Sequence, residues 1–307
     1  MKVLIVGSDG FLGSHLALYA ESFHKYEVVR ADYKSSKNVK TVHLDLTSFQ
    51  EVHSLLEKIR PEIIINCAGI FRASSNDVFY KVNCLGSVNI FESILQIDKF
   101  NPQIFIMGSA AEYGLVEKEH MPLSEDFPLN PVTHYGISKT AQTFNALSYS
   151  REGLNIYIGR FFNIIGKGLS EMLAPSAFAK QIAEIEINLK IKKINVGHLD
   201  AKRDFIDVSD AVKAVFLILE KGHKGKVYNI CSGDSYSMKE VLNILIKVAS
   251  VKCEISTDSN RMNKHDVSDI YGDYSEVSRD TGWTPSYSIE SSLENLLDGW
   301  RERLKNG

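Results

Sequence analysis

Apolar residues follow two rhythms along the first half of this chain. Short β-branched runs at 2–6, 26–32, 40–46, 63–67, 103–107 and 155–162 alternate with stretches whose apolar positions recur at helical spacing. Those stretches cover 14–20, 48–59, 80–97 and 134–150. Ile63-Ile64-Ile65 is apolar at consecutive positions, as in a strand buried on both faces of a parallel sheet. Strand–helix alternation of this kind predicts a doubly wound α/β fold.

Beyond Asn163 the rhythm changes. Helical spacing returns at 174–188, 209–221, 238–250 and 289–304, with strand-like runs near 194, at 203–208 and at 227–231. The pattern divides the chain into a main unit over 1–163 and a smaller α/β lobe over 164–307, interleaved, with returns to the main sheet near 194–222. No internal repeat and no low-complexity linker separates them.

The turn after the first strand is the most informative stretch. Gly7, Gly10 and Gly13 are spaced G-x-x-G-x-x-G, with Phe11 and Leu12 opening the helix that follows. Strand, glycine turn and helix N-terminus together seat a dinucleotide pyrophosphate, whose negative charge the helix dipole favours. Gly7 turns the chain sharply, Gly10 removes a side chain where phosphates approach, and Gly13 lets helix and strand pack closely. Asp32 ends the second strand about 20 residues beyond the turn, where an acid accepts hydrogen bonds from the adenosine ribose. Its negative charge opposes a 2′-phosphate, so NAD(H) is favoured over NADP(H), although Lys34 and Lys37 follow closely. Ala68 and Gly69, small residues after the strand at 63–67, suit backbone passing close to a flat cofactor.

Composition removes several classes of function. A net charge of −3 over 307 residues leaves no electrostatic footprint for nucleic acid or an anionic membrane. Cys67, Cys84, Cys231 and Cys253 are scattered, with no metal-binding spacing, and read as reduced thiols of a cytoplasmic protein. No apolar run is long enough to span a bilayer. Small molecules and copies of the chain itself remain as partners.

Tyr135 and Lys139 lie four apart on one predicted helix, capped by Thr133, so they point the same way. An ammonium at ~4 Å supplies about 4 kcal/mol at intermediate dielectric, enough to lower a phenol by roughly three pKa units. Tyr33 and Lys37 share this spacing in a predicted loop, so spacing alone is a weak signal. The pair at 135 and 139 gains weight from Ser109, which ends the strand at 103–107 on the sheet edge where ligands sit.

Together these motifs resemble the extended short-chain dehydrogenase/reductase family, the group of nucleotide-sugar epimerases, dehydratases and reductases. The resemblance spans the chain and implies a Rossmann-type fold. It also rests on Asp45-Leu46, Asn83, Arg160 to Asn163 and Arg203 to Val208. It implies that Ser109, Tyr135 and Lys139 form a catalytic set, Tyr135 moving a proton while a nicotinamide moves hydride. By the same resemblance Asp45 and Leu46 contact adenine, Asn83 belongs to the cofactor site, and Asn163 and Arg203 contact the diphosphate of a nucleotide sugar. The family's 4,6-dehydratases carry an acid where Ala111 stands, and Glu112 comes one residue late, which argues against elimination. Residues 178–186, 228–233 and 266–285 look like those of GDP-4-keto-6-deoxy-D-mannose reductases, which adds Lys180 and Arg261 as substrate contacts. Relatives tend to carry a second arginine where Asn263 stands. The expectation is a 4-ketoreductase of a nucleotide-linked deoxysugar, with a 4-epimerase as the alternative and a catalytically silent nucleotide sensor last. Pairing of helices 80–97 and 134–150 across a homodimer is expected by analogy alone.

Overall fold

The structure is a computed structural model that describes residues 1–34, 40–188, 191–257 and 269–306. The chain runs β1 (Lys2–Val6), α1 (Phe11–Glu21), β2 (Glu27–Asp32), β3 (Thr41–His43), α2 (Phe49–Ile59), β4 (Ile63–Asn66) and α3 (Asn76–Phe79). It continues through a π-helical turn, Tyr80–Leu85, into α4 (Gly86–Gln96), β5 (Gln103–Ser109), α5 (His134–Arg151) and β6 (Asn155–Phe161). Next come β7 (Asn163–Ile165), α6 (Ala174–Glu186), β8 (Lys193–Val196), β9 (Lys202–Arg203), β10 (Phe205–Asp207) and α7 (Val208–Lys221). The remainder is β11 (Val227–Ile230), β12 (Tyr236–Ser237), α8 (Met238–Ala249), β13 (Glu254–Thr257), α9 (Ser275–Thr281) and α10 (Ile289–Asn306).

Seven parallel strands form the central sheet in the order β11-β6-β5-β4-β1-β2-β3. Val3 of β1 sits opposite Val28 on one side and Ile63 on the other, so strand order reverses between β1 and β4. At such a switch point the strand ends leave a crevice for a ligand. Alternate residues of β1 feed two cores. Val3 and Ile5 pack with Leu16 and Ala17 of α1 and Val212 and Val215 of α7. Leu4 and Val6 pack on the other face with Leu56, Ile90, Phe91 and Ile94. Burial of each such side chain stabilises by about 1.5–3 kcal/mol, which is why consecutive positions in these strands are apolar. A third cluster joins α6, α8 and α10 through Phe178, Ile182, Leu242, Leu245, Leu297 and Trp300.

Three details depart from the sequence expectation. The helix expected over 80–97 is broken: the π-helical turn carries Asn83, and only then does α4 begin. The strand near 194 does not return to the main sheet; β8 pairs with β13. It is α7 and β11 that return, β11 beside β6. The run at 203–208 is two strands, β9 paired with β12 and β10 with β7, divided at Asp204. Asp204 marks the division, and its carboxylate accepts hydrogen bonds from the amides of Ser232, Gly233 and Gly272.

Candidate functional site

The glycine turn brings three segments together. Gly7 has φ 79°, and its amide donates to the Ala31 carbonyl at 2.8 Å. A β-carbon on Gly7 would stand 2.7 Å from the Ala68 nitrogen, and one on Gly13 only 2.0 Å from the Gly7 carbonyl oxygen. Phe11 packs against the third core and Leu12 against the first, so their side chains turn inward and leave backbone amides at the helix start. Gly10 caps α1 without any side-chain hydrogen bond, and the buried Ser8 hydroxyl has no partner in the protein. Unpaired donors at the start of an 11-residue helix fit a dinucleotide pyrophosphate.

Asp32 stands over this turn. One carboxylate oxygen accepts from the Asp9 amide at 3.0 Å and the other from the Lys34 amide at 3.1 Å. Asp45 accepts from the Thr47 amide and hydroxyl at 2.8 Å, and Leu46 is buried where Gly86 of α4 passes close. The Ala68 amide donates to Asn66, and Gly69 lies tight against Asn83. Asn83 itself is fully buried. It accepts from the Ile70 amide at 2.8 Å and donates to the Ile70 carbonyl and the Ser138 hydroxyl, so it braces the loop carrying Ala68 and Gly69. With its amide spent inside the chain, Asn83 shapes this site from behind.

Ser109, Tyr135 and Lys139 converge at the C-terminal end of β5. The Thr133 hydroxyl accepts from the Gly136 amide at 3.0 Å and caps α5 as expected, which fixes the start of the Tyr135–Lys139 turn. The Ser109 hydroxyl lies near enough to the Tyr135 phenol to act on its titration, and its oxygen accepts from the Ala111 amide at 3.2 Å. Lys139 is buried, donating to the Met107 carbonyl and to Gln142, whose amide donates to Ser87 at 2.6 Å.

The electrostatics correct the expectation for Tyr135. Its phenol lies above the ordinary range: burial raises it, the nearby Ser109 hydroxyl opposes that, and the Glu112 charge raises it further. Lys139 does not drive it down, because the ammonium is directed at Met107 and Gln142 and is itself depressed to about 8 by burial.

A cleft of about 700 Å³ opens on the third core, lined by Asn163, Arg203, Arg72, Glu171, Phe178 and His198. That volume suits a small-molecule ligand. Asn163 is exposed and donates to the Asp204 carbonyl at 3.0 Å; Arg203 donates to the Lys202 carbonyl at 2.6 Å. Lys180 is not on the cleft wall: it is ion-paired with Glu171, which is. Arg261 lies outside the described residues, as do Asn263 and Lys37.

Sequence reasoning missed two buried groups and one exposed one. Glu112 is fully buried; its carboxylate accepts from the Ser109 amide at 2.8 Å and from Arg160 Nε at 3.1 Å. Residues 110–112 form a 3₁₀ turn and are not extended, so Glu112 folds back under Ser109. The signal was present, since Ser109-Ala110-Ala111-Glu112 is a capping box. Gln142, which holds Lys139, and Arg72, on the cleft wall, carried no comparable signal.

The sequence profile described as the NAD dependent epimerase/dehydratase family matches residues 3–231. The chain belongs to that family. Members are NAD(P)-dependent nucleotide-sugar oxidoreductases and epimerases. Over nearly full length the chain is similar to GDP-6-deoxy-D-mannose reductase of Pseudomonas aeruginosa, 28% identical over 99% of this chain and 98% of the relative. It is 30% identical to GDP-6-deoxy-D-talose 4-dehydrogenase of Aggregatibacter actinomycetemcomitans, over 99% and 98% of the two chains. Among solved structures it superposes on RMD from P. aeruginosa complexed with NADPH, with a TM-score of 0.88, 28% identity and coverage of 98% and 99%. The Rossmann-type parallel sheet expected from the sequence is therefore shared with a family member holding a nicotinamide dinucleotide. No helix among the described residues is long and apolar enough to cross a membrane.

Proposed function

We propose that this family member is an NAD(P)H-dependent 4-ketoreductase of a nucleotide-linked 4-keto-6-deoxy sugar, similar to GDP-4-keto-6-deoxy-D-mannose reductases. The observation that supports the reading is the gathering of Ser109, Tyr135 and buried Lys139 at the end of β5, on the sheet edge that also holds the glycine turn. Full-length similarity to a GDP-6-deoxy-D-mannose reductase supports the substrate class.

Bound at the glycine turn, the dinucleotide supplies the hydride. Gly7, Gly10, Gly13 and Asp32 place it, with Asp45, Leu46, Ala68 and Gly69 shaping the adenine and nicotinamide ends. Lys139 holds the nicotinamide ribose. Arg203 and Asn163 anchor the substrate diphosphate. Ser109 would steady the C4 oxygen, and Tyr135 would give that oxygen its hydroxyl proton. Tyr135 is then reprotonated from water. A phenol held above its ordinary range is protonated at neutral pH but is a weaker acid than one tuned toward the working pH.

Ala111 stands where a dehydratase acid would be, and Glu112 is tied to Ser109 and Arg160, so neither supports elimination. Exposed Leu95 of α4 and Ile137 and Phe144 of α5 would pair across a homodimer.

The test is net reduced-dinucleotide consumption with a 4-keto-6-deoxy nucleotide sugar, and its loss in Tyr135→Phe. Turnover of hydroxyl sugars with no net consumption would make the protein a 4-epimerase.

A further inference from the structure

Behind the Ser109–Tyr135–Lys139 cluster lies an ion pair that takes no part in the chemistry proposed above. Glu112 is fully buried and Arg160 is 3% exposed. One Glu112 oxygen accepts from the Ser109 backbone amide at 2.8 Å; the other accepts from Arg160 Nε at 3.1 Å. Arg160 Nη1 in turn donates to the Tyr113 hydroxyl at 3.0 Å and the Glu125 carbonyl at 3.3 Å, and its guanidinium stacks 4.7 Å from the Tyr113 ring. The space is tight: a β-carbon on Gly108 would stand 2.8 Å from the Glu112 oxygen. Ser109 is thus clamped from its backbone side, with its hydroxyl near the Tyr135 phenol.

We propose that Glu112, held by Arg160, is a positioning residue of the proton-transfer centre: it fixes Ser109 and sets a buried negative charge behind Tyr135 and Lys139. This rests on the catalytic reading of those three residues. A buried pair that only stabilised the fold would need no link to Ser109, and apolar groups of similar volume would serve as well. Charged and titratable groups facing this centre are Arg160 from β6, Tyr113 beside Glu112, Glu125 from the following loop, Lys139 from α5 and Cys67 after β4. Glu112 favours the protonated form of both Tyr135 and Lys139.

The experiment records kcat against pH, with substrate KM and dinucleotide affinity, for wild type, Glu112→Gln and Glu112→Asp. Gln keeps an acceptor for the Ser109 amide and removes the charge. The alkaline limb of kcat should move down by about one pH unit, with dinucleotide affinity unchanged. Asp keeps the charge and draws the carboxylate back from Ser109. Here kcat should fall roughly tenfold or more at every pH, with the limb unmoved. Should Glu112→Gln fail to fold, Glu112→Asp carries the test, and wild-type kcat in that variant overturns the proposal. An unmoved limb in a folded Glu112→Gln overturns it equally. Tyr135→Phe separates the two levels: if it is inactive while the Glu112 variants behave as wild type, only this inference fails; if it is fully active, the catalytic reading fails first.

Discussion

Gly13 packs so closely on Gly7 that a β-carbon at residue 13 would stand 2.0 Å from the Gly7 carbonyl oxygen. The obstacle is backbone, which cannot swing aside. Gly13→Ala should therefore displace α1 from β1 and lose dinucleotide binding before any other function. Fluorescence titration with NADH and NADPH checks this. The variant should bind at least roughly tenfold more weakly, since about 1.4 kcal/mol of lost positioning is already tenfold.

Asp32 meets the turn through the Asp9 and Lys34 amides. Its charge should select NADH by repelling the 2′-phosphate of NADPH. Asp32→Ala should lower the ratio of kcat/KM for NADH over NADPH by about tenfold or more. A ratio that stays at the wild-type value would remove Asp32 from cofactor selection.

Asp204 links β9, β10 and the loops after β11. Burial lifts its carboxyl to about 6, although the Ser232, Gly233 and Gly272 groups pull against that. A raised carboxyl binds its proton more tightly in the native state than in the unfolded one. Its stabilising contribution is full below the unfolded pKa, near 4, and is lost as pH rises through about 6. The unfolding free energy of wild type from urea titration should fall over that window relative to Asp204→Asn, by an amount of order 3 kcal/mol at most. Lys139, depressed to about 8, has the opposite sense: the cost of burying its charge is full below pH 8 and fades as pH rises from there.

Phe144 is 57% exposed on α5, alongside exposed Ile137. With exposed Leu95 of α4 these residues make the face that the proposed dimer would cover. Phe144→Glu should convert a dimer to monomer in sedimentation velocity while leaving the monomer folded by circular dichroism. A wild type that sediments as a monomer would refute the pairing.

What the sequence made legible follows from local rules. The strands β1, β2, β4, β5 and β6, the glycine turn and the Thr133 cap depend on near neighbours, and they stand where periodicity and capping place them. Groups whose role depends on distant partners were not legible. The bracing role of Asn83 was not legible because nothing local shows that its amide reaches Ile70 and Ser138. Lys139 appeared aimed at Tyr135 because helical spacing is silent about Met107, which arrives from β5. The capping box of Glu112 is local, but its ion pair is with Arg160, 48 residues on. The splitting of 203–208 likewise depends on glycines and a serine far along the chain.

The most direct measurement follows deuterium from reduced dinucleotide labelled at the nicotinamide C4 into GDP-4-keto-6-deoxymannose. The account predicts one deuterium at sugar C4 for each dinucleotide oxidised, and no transfer with Tyr135→Phe. Transfer at the wild-type rate without the Tyr135 hydroxyl, or interconversion of hydroxyl sugars with no label incorporated and no dinucleotide consumed, would contradict it.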